Sequence, residues 1–388
     1  MSVYKSSEIV TVLKSEKKML HQIVLALLVA MAFADHQIWP GTSTRPILSD
    51  AEASKYTKQA YLQGWTPGTI STSRADYTVG SGGFSTIQAA VNAAINAGGT
   101  TRKYIKILPG TYNQAVLIPK TSVPITIYGT KGNPDDVQIV LSQGANLSGS
   151  EYAQQVNPNG AVYKDGDPAW SMYSSCAKKT KIGTSCSSIF WAKNDDFEIA
   201  YVTIENPSLD GQAVAARADG DKQNWNNINF YGFQDVLFAS GKRIYFNKPI
   251  IVGDVDFIFG SASAVFEGAQ IFARGDRPRD SAIIFAPNTE SSQKYGFLVL
   301  NSKIMADINI KANMSCSLAR AWDASSSKEP NGQVVIRETD IVDVVNLIAP
   351  YDTATSGRKY AGNSATNRNL DDSRFNRFWE YKNVGAGA

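Results

Sequence analysis

Short runs of apolar residues, each bounded by Gly, Pro, Asn, Asp or Ser, recur along most of the chain. Examples cover residues 104–108, 125–128, 137–141 and 189–192, and they are rich in β-branched and aromatic residues. Runs of four to eight residues with this composition, separated by turn residues, are typical of β-strands. The pattern therefore predicts a protein built from many short strands.

The spacing of these runs becomes regular after residue 197. If Ile204, Ile228, Ile250 and Ile271 are equivalent positions, successive repeats are 24, 22 and 21 residues long. Strands that repeat at such a period without intervening helices indicate a β-solenoid, in which each repeat forms one coil. A β-sandwich has a similar strand content and stays open as an alternative on the pattern alone.

The N-terminal segment has the features of a secretory signal. Lys14, Lys17 and Lys18 precede an apolar run from Ile23 to Ala34, which is too short to span a bilayer. Translation could begin at Met1 or at Met19, and the sequence leaves both possible. We expect a signal at residues 1–34, an extended leader at 35–75 and a β-helical domain at 76–388.

One amphipathic helix is predicted at the start of this domain. Ile87, Val91 and Ile95 are spaced four residues apart and are followed by Gly98 and Gly99, which would end the helix. It is the only helix that the pattern predicts in the three hundred residues after the signal, and we expect it to cap the coil. The aromatic-rich residues 372–382 are expected to form an irregular cover over the end or side of the stack.

Charge and cysteine content change this picture little. The net charge is +3 and no dense run of Lys or Arg is present, which argues against nucleic-acid binding. In an oxidising compartment Cys176 and Cys186 could form a disulfide and leave Cys316 free, but three buried thiols are an equal alternative. No cysteine cluster suggests a zinc site. The sequons at Asn146 and Asn313 permit glycosylation.

The scarcity of histidine excludes a large class of mechanisms. The chain contains two histidines, His21 and His36, which lie in and just beyond the predicted signal. A Ser-His-Asp or Cys-His site is therefore excluded from the domain. Any catalysis must rely on carboxylates, amides or arginine.

The solenoid period converts sequence spacing into neighbourhood, since residues one coil apart lie about 4.8 Å from each other across the ladder. Asp235 and Asp256 are 21 residues apart, and Gln212 and Gln234 are 22 apart. Four polar side chains would then gather on one face. Two adjacent carboxyls cannot both ionise readily, so one can act as an acid while the other is a nucleophile. Such residues can instead cap turns, which is the structural alternative.

Six segments carry a resemblance to a known family: Gly110-Thr-Tyr, Gln212-Ala-Val-Ala, Gly232-Phe-Gln-Asp-Val-Leu, Gly253-Asp-Val-Asp-Phe-Ile-Phe-Gly, Leu318-Ala-Arg-Ala-Trp and Asp372-Ser-Arg-Phe. From about Phe84 to the C-terminus, the chain resembles the pectin methylesterases, and it is closer to bacterial-type members than to plant ones. The resemblance implies a right-handed parallel β-helix that demethylates homogalacturonan, works without a metal or organic cofactor, and is secreted. We expect a monomer with no membrane partner.

The resemblance also implies a role for each matching residue. Asp256 would be the nucleophile, and Asp235 would donate a proton to departing methanol and then activate water. Gln212 and Gln234 would hold the oxyanion, and Arg320 would pair with Asp256. Two aromatic residues would stack on sugar rings: Trp322 and Phe259. On a regular strand, however, Phe259 would share a face with Phe257, so both could belong to the core.

The chain departs from the family pattern at several positions. A usual Glu is Gln114, a usual Gly and Pro are Ala319 and Ala321, and a common Thr is Val236. We expect altered loop geometry and substrate preference, with the reaction retained. Two other functions remain as alternatives: a hydrolase or lyase that cleaves galacturonan on the same fold, and a pectin-binding protein without catalysis.

Overall fold

The computed structural model describes residues 41–277, 281–313, 315–322, 330–342, 345–352 and 359–388, with the side chains of 311–313 excepted. The predicted signal, both histidines and the sequon asparagine at 313 lie outside the residues or side chains so described. None of the helices in this part of the chain is long and apolar enough to cross a membrane.

Twenty-four short strands follow one another along the chain. They are β1 (Tyr77–Val79), β2 (Lys103–Ile107), β3 (Gly110–Tyr112), β4 (Val116–Ile118), β5 (Ile125–Tyr128), β6 (Val137–Val140), β7 (Phe190–Ala192), β8 (Glu198–Glu205), β9 (Ala216–Ala218), β10 (Gln223–Tyr231), β11 (Leu237–Ala239), β12 (Arg243–Asn247), β13 (Ile250–Gly253), β14 (Val255–Gly260), β15 (Ser263–Glu267), β16 (Gln270–Ala273), β17 (Ala282–Pro287), β18 (Phe297–Leu300), β19 (Lys303–Ala306), β20 (Cys316–Arg320), β21 (Gln333–Arg337), β22 (Asp340–Ile341), β23 (Tyr351–Asp352) and β24 (Arg377–Tyr381).

The helices are short and lie outside the coil. They are α1 (Asp50–Ala53), α2 (Lys58–Tyr61), α3 (Ile87–Asn96), α4 (Gly149–Val156), α5 (Trp170–Ala177), α6 (Gly183–Cys186) and α7 (Ile308–Asn313), with 3₁₀ turns at Pro134–Asp136 and Pro158–Gly160. The predicted helix is confirmed as α3, with the Thr86 side chain accepting the Ala89 amide at its N-terminus.

All named strands pair in parallel and form three columns, as the solenoid prediction requires. A 16-stranded sheet makes the first two columns, which share β8 and β10, and an eight-stranded sheet from β4 to β23 makes the third. A continuous apolar core fills the interior. The fold is therefore a right-handed parallel β-helix, and the β-sandwich alternative is excluded.

The register within the columns differs from the one that we predicted. Ile204 pairs with Phe230 instead of Ile228, and Ile271 pairs with Ile251 instead of Ile250. The cause is a corner between the first two columns, where successive coils place one residue in the left-handed conformation. The corner residues are Tyr201, Asn227, Lys248, Gly268, Asn301, Glu338 and Lys382. An apolar repeat does not reveal such corners, because the residue at the bend interrupts the alternation.

Two other expectations about the ends of the domain are wrong. The leader is not extended throughout, since α1 and α2 form within it. The tail is not an irregular cover, because β24 pairs with β21 over five positions and Phe378 enters the core. The backbone of an end strand must find hydrogen-bond partners, and the open edge of β21 offers them.

The prediction of a single helix is also wrong, because the segment between β6 and β7 folds into α4, α5 and α6. This segment has its own apolar cluster. A local signal was present at α4, where Ser148 and Glu151 form a capping box. The disulfide Cys176–Cys186 closes the segment, and Cys316 is free and buried.

Candidate active site

Asp235 and Asp256 occupy neighbouring coils at the entrance to the third column. Leu237 pairs with Ile258, and each aspartate lies two residues before its strand partner. The Asp235 amide donates a hydrogen bond to the Val255 carbonyl at 3.1 Å. Both aspartates are more than nine-tenths buried, with 8% and 6% exposure. The structure therefore brings together the two carboxyls that the coil period paired.

Unusual backbone geometry directs these two side chains. Asp235 and Asp256 have φ angles of 65° and 50°, in the left-handed region that most L-residues avoid. Aspartate tolerates this region better than most residues, and such conformations concentrate at functional sites. Gly253 makes the close packing beneath possible, because a Cβ there would lie 2.3 Å from Cβ of Phe257.

Arg320, from β20, forms a two-pronged ion pair with Asp256. Its Nε and Nη2 atoms lie 2.6 Å from the two carboxylate oxygens. The bond to Asp256 raises the pKa of the Arg320 guanidinium. A planar guanidinium held in this way orients the carboxylate and supports its charged form.

Asp235 has a different electrostatic environment. Burial, and then the charge of the neighbouring Asp256, hold the pKa of Asp235 well above its usual range. Arg320 and the side chain of Gln234 act in the opposite direction but more weakly than burial. The two carboxyls therefore have opposed preferences: Asp256 faces a cation, while Asp235 favours its protonated form.

Both predicted glutamines line the same cavity. The carbonyl of Gln234 accepts the Ala213 amide at 3.1 Å, and the carbonyl of Gln212 accepts the Ala145 amide at 2.9 Å. Strict strand register places Ala213, and not Gln212, opposite Gln234. The amides thus reach one cavity from adjacent coils with an offset of one residue.

An aromatic platform lies beside the carboxyls. The rings of Phe238 and Phe259 stack at 4.3 Å, and Trp322 meets Phe259 edge-on at 5.9 Å. Phe257 points into the core while Phe259 points to the cavity, so the expectation of a shared face is wrong. The register shift between Val255 and Ile258 breaks the alternation at this point. Phe238 was missed, although it lies one coil before Phe259.

The opposite wall comes from the disulfide-closed segment, which sequence reasoning did not connect with the site. Its contributions are Lys179, Ile182, Gly183, Thr184 and Ser185. Together with the seven predicted residues, Phe238 and Ala286, they enclose a cavity of about 420 Å³. Within the described part of the chain, no group of three or more His, Cys, Asp or Glu side chains is placed to hold a metal ion.

Two of the departures from the family pattern can be located. Gln114 is buried, and its Oε1 accepts the Ile87 amide at 2.9 Å, so the amide caps the N-terminus of α3. Val236 lies in the core. The loop that follows Ala321 runs into residues 323–329, which lie outside the described residues, so the expected change in its geometry stays a prediction.

Comparisons with known proteins agree with this architecture. The pectinesterase family model matches residues 154–351. A curated pectinesterase from Sitophilus oryzae is 46% identical over 94% of this chain and 99% of its own length. The solved structure of rice weevil pectin methyl esterase superposes with a TM-score of 0.87 at 46% identity, covering 91% of this chain and all of that one.

The fold and these relatives define a carboxylic ester hydrolase built on a parallel β-helix. The chain belongs to the pectinesterase family. The family also contains a protein with a different name: an Escherichia coli relative, 37% identical over 91% of this chain and 90% of its own length, is called a putative acyl-CoA thioester hydrolase.

Proposed function

We propose that this enzyme hydrolyses the methyl esters of homogalacturonan in pectin and releases methanol and pectate. The observation that carries the proposal is the buried pair Asp235–Asp256, with Arg320 bound to one member and a raised pKa on the other. The pair opens into a cavity with an aromatic platform on one side. An ester hydrolase without histidine needs this combination of nucleophile and acid.

In the first step, the charged carboxylate of Asp256 attacks the carbonyl carbon of the methyl ester. Asp235 gives its proton to the methoxy oxygen as the C–O bond breaks, so methanol leaves and an acyl-enzyme anhydride with Asp256 remains. Asp235 is then ionised and takes a proton from water. The resulting hydroxide attacks the galacturonyl carbonyl, and Asp256 departs as a carboxylate.

The two glutamines have the chemistry for oxyanion stabilisation. The amide N–H groups of Gln212 and Gln234 carry no net charge and face the same cavity as the nucleophile. Preorganised N–H donors lower the energy of the negative oxygen that develops when an ester is attacked. We assign this role to both residues.

The aromatic platform would bind the sugar rings. Phe259 and Trp322, the predicted pair, and Phe238 offer apolar surfaces beside the carboxyls. The apolar faces of a pyranose can pack on such rings, which would place the C6 ester near Asp256. Orientation by stacking leaves the polar edge of the sugar free for hydrogen bonds.

We also propose that the enzyme is secreted, acts as a monomer and needs no cofactor. The apolar run at residues 23–34 supports export, and the Cys176–Cys186 disulfide is of the kind that persists in oxidising compartments. Asn146 is exposed, as a glycosylated asparagine must be.

The test is methanol release from highly esterified pectin by the wild-type enzyme and two variants, Asp256→Ala and Asp235→Ala. We expect each variant to lose on the order of 10⁴-fold in kcat/KM. Asp276→Ala is the matched control, because Asp276 is an exposed aspartate paired with Arg274 and should keep full activity.

Three results would contradict the proposal. New reducing ends without methanol would indicate backbone cleavage. Full activity of Asp256→Asn, in binding and turnover alike, would remove the nucleophile. Hydrolysis of acyl-CoA thioesters in preference to pectin would place the chain with the function for which its Escherichia coli relative is named.

A further inference from the structure

Lys179 lines the cavity from the wall opposite the aromatic platform. It lies between the two cysteines of the Cys176–Cys186 disulfide, so its backbone is tethered on both sides. Its amide donates to the Cys176 carbonyl at 3.1 Å, and its own carbonyl accepts the Gly149 amide at 2.9 Å. The position of this lysine is therefore set by the loop closure and by α4.

The side chain of Lys179 is an uncommitted cation. Its Nζ donates to the Ile182 carbonyl at 3.2 Å, and among the described residues no carboxylate forms an ion pair with it. The other cation in the lining, Arg320, is already bound to Asp256. The charges that act most strongly on Asp235 belong to Asp256, Arg320 and Asp254, so Lys179 stands apart from the reacting group.

Arg217, farther along the same sheet, is a weaker candidate for an anion-binding role. Its guanidinium lies 4.5 Å from the ring centroids of both Trp191 and Phe238, and Nη2 is 3.0 Å from Asp219. Those contacts already satisfy its charge. Lys179 is exposed and keeps its charge available to a ligand in the cavity.

We propose that Lys179 binds the free carboxylate of a galacturonate unit next to the unit whose ester is hydrolysed. This inference rests on the proposed function, and it names the form of the polymer that the site prefers. Each unit of homogalacturonan carries at C6 either a neutral methyl ester or a negative carboxylate. An ammonium group attracts the carboxylate and gains little from the ester, so it distinguishes the two.

Every turnover creates the group that Lys179 binds. A unit that has just been hydrolysed carries a carboxylate, and a shift of the polymer by one position would bring that carboxylate to the lysine. The enzyme would therefore act faster on esters beside hydrolysed units than on esters within fully methylated stretches.

The experiment compares two homogalacturonan samples of equal length, one fully methyl-esterified and one about half esterified at random. The variant is Lys179→Gln, and Lys178→Gln is the matched control, because Lys178 is exposed but outside the cavity lining. We expect the ratio of kcat/KM, half-esterified over fully esterified, to fall about three- to tenfold in Lys179→Gln alone. Lys179→Arg should restore most of the ratio, and added salt should reduce the difference.

Equal losses on both samples would indicate that Lys179 only supports the loop, and an unchanged ratio would remove its role in recognition; either result overturns the proposal. Binding of unesterified trigalacturonate, measured by calorimetry, separates this inference from the proposed function. If the wild-type enzyme releases no methanol, the proposed function fails. Lys179→Gln must weaken trigalacturonate binding in either case, and equal binding by wild type and variant would refute the lysine site.

Discussion

Two outer faces of the coil carry apolar ladders, but only one of them is covered by the chain itself. On the first column, Tyr245, Val265, Leu298, Val335 and Trp379 follow one another in register on successive coils. On the third column, Trp191, Arg217, Phe238, Phe259 and Ala286 do the same. We call them the covered ladder and the open ladder.

The covered ladder is buried by the N-terminal leader. Tyr56, Tyr61 and Leu62 pack onto it as part of one apolar cluster, and Leu298 and Val335 are fully buried there. Polar bonds at the margin hold the leader in place, since Arg337 donates to the carbonyls of Ala53 and Tyr56. This face contributes to stability because its apolar surface is removed from water.

The open ladder has no comparable cover near the carboxyls. Phe238 and Trp322 remain partly exposed, and the disulfide-closed segment forms a wall at some distance, which leaves a cavity. Apolar surface that a protein leaves accessible beside polar groups is characteristic of a ligand site. The comparison teaches that the same kind of ladder is structural or functional according to what lies over it.

The largest effect should come from exchanging Arg for Lys on the two faces. Arg320→Lys replaces the two-pronged bond to Asp256 by a point contact, and we expect kcat/KM for methanol release to fall on the order of 10²- to 10³-fold. Arg337→Lys, on the covered face, should lower the melting temperature and leave kcat/KM near the wild-type value. Similar activity losses in both variants would remove the distinction between the faces.

Truncation of one apolar side chain on each ladder should separate stability from binding. Leu298→Ala leaves a cavity beneath the leader and should lower the free energy of unfolding by about 3 kcal/mol. Phe238→Ala should raise KM for pectin about three- to tenfold with a smaller loss of stability. Denaturant titration and initial-rate measurements test the pair. A higher KM in Leu298→Ala at a temperature where it is folded would contradict the assignment.

Removal of the disulfide tests the wall of the open face. The double substitution Cys176→Ser with Cys186→Ser should lower the free energy of unfolding by about 2–3 kcal/mol, because a short loop is no longer closed. KM for pectin should rise as well, since Lys179, Thr184 and Ser185 lose their anchor. Cys316→Ser is the control, because that thiol is buried in the coil away from the cavity. An unchanged KM in the double variant would mean that the wall keeps its place without the bond.

The smallest effect concerns pH. The pKa of Asp235 is raised in the folded state, so the folded protein binds this proton more tightly than the unfolded chain does. Stability from this group is complete below the unfolded pKa and is lost as pH rises toward the folded value. Asp235→Asn removes that loss and should stabilise the inactive protein by about 1 kcal/mol at neutral pH. Thermal unfolding at pH 4 and pH 7 should show the larger gain at pH 7, and the reverse order would disprove the shift.

Much of the site could be predicted because the central coils are short and uniform. Asp235 and Asp256 are separated by one coil without an insertion, so counting residues placed them together. Arg320 and Trp322 are 64 and 66 residues beyond Asp256, across coils with long insertions, and only the family resemblance indicated them. Lys179 lies in an insertion with no coil period, which is why no spacing argument could reach it.

The sequence by itself determined the strand content, the coil length and the pairing of the two acids, because alternation and period are local properties of an extended backbone. Only the tertiary structure decided the register at the left-handed corners, the opposite orientations of Phe257 and Phe259, and the wall that contains Lys179. It also decided the raised pKa of Asp235. These features depend on which distant segments pack together, since burial and charge proximity arise only when the coil has closed and its insertions have folded against it.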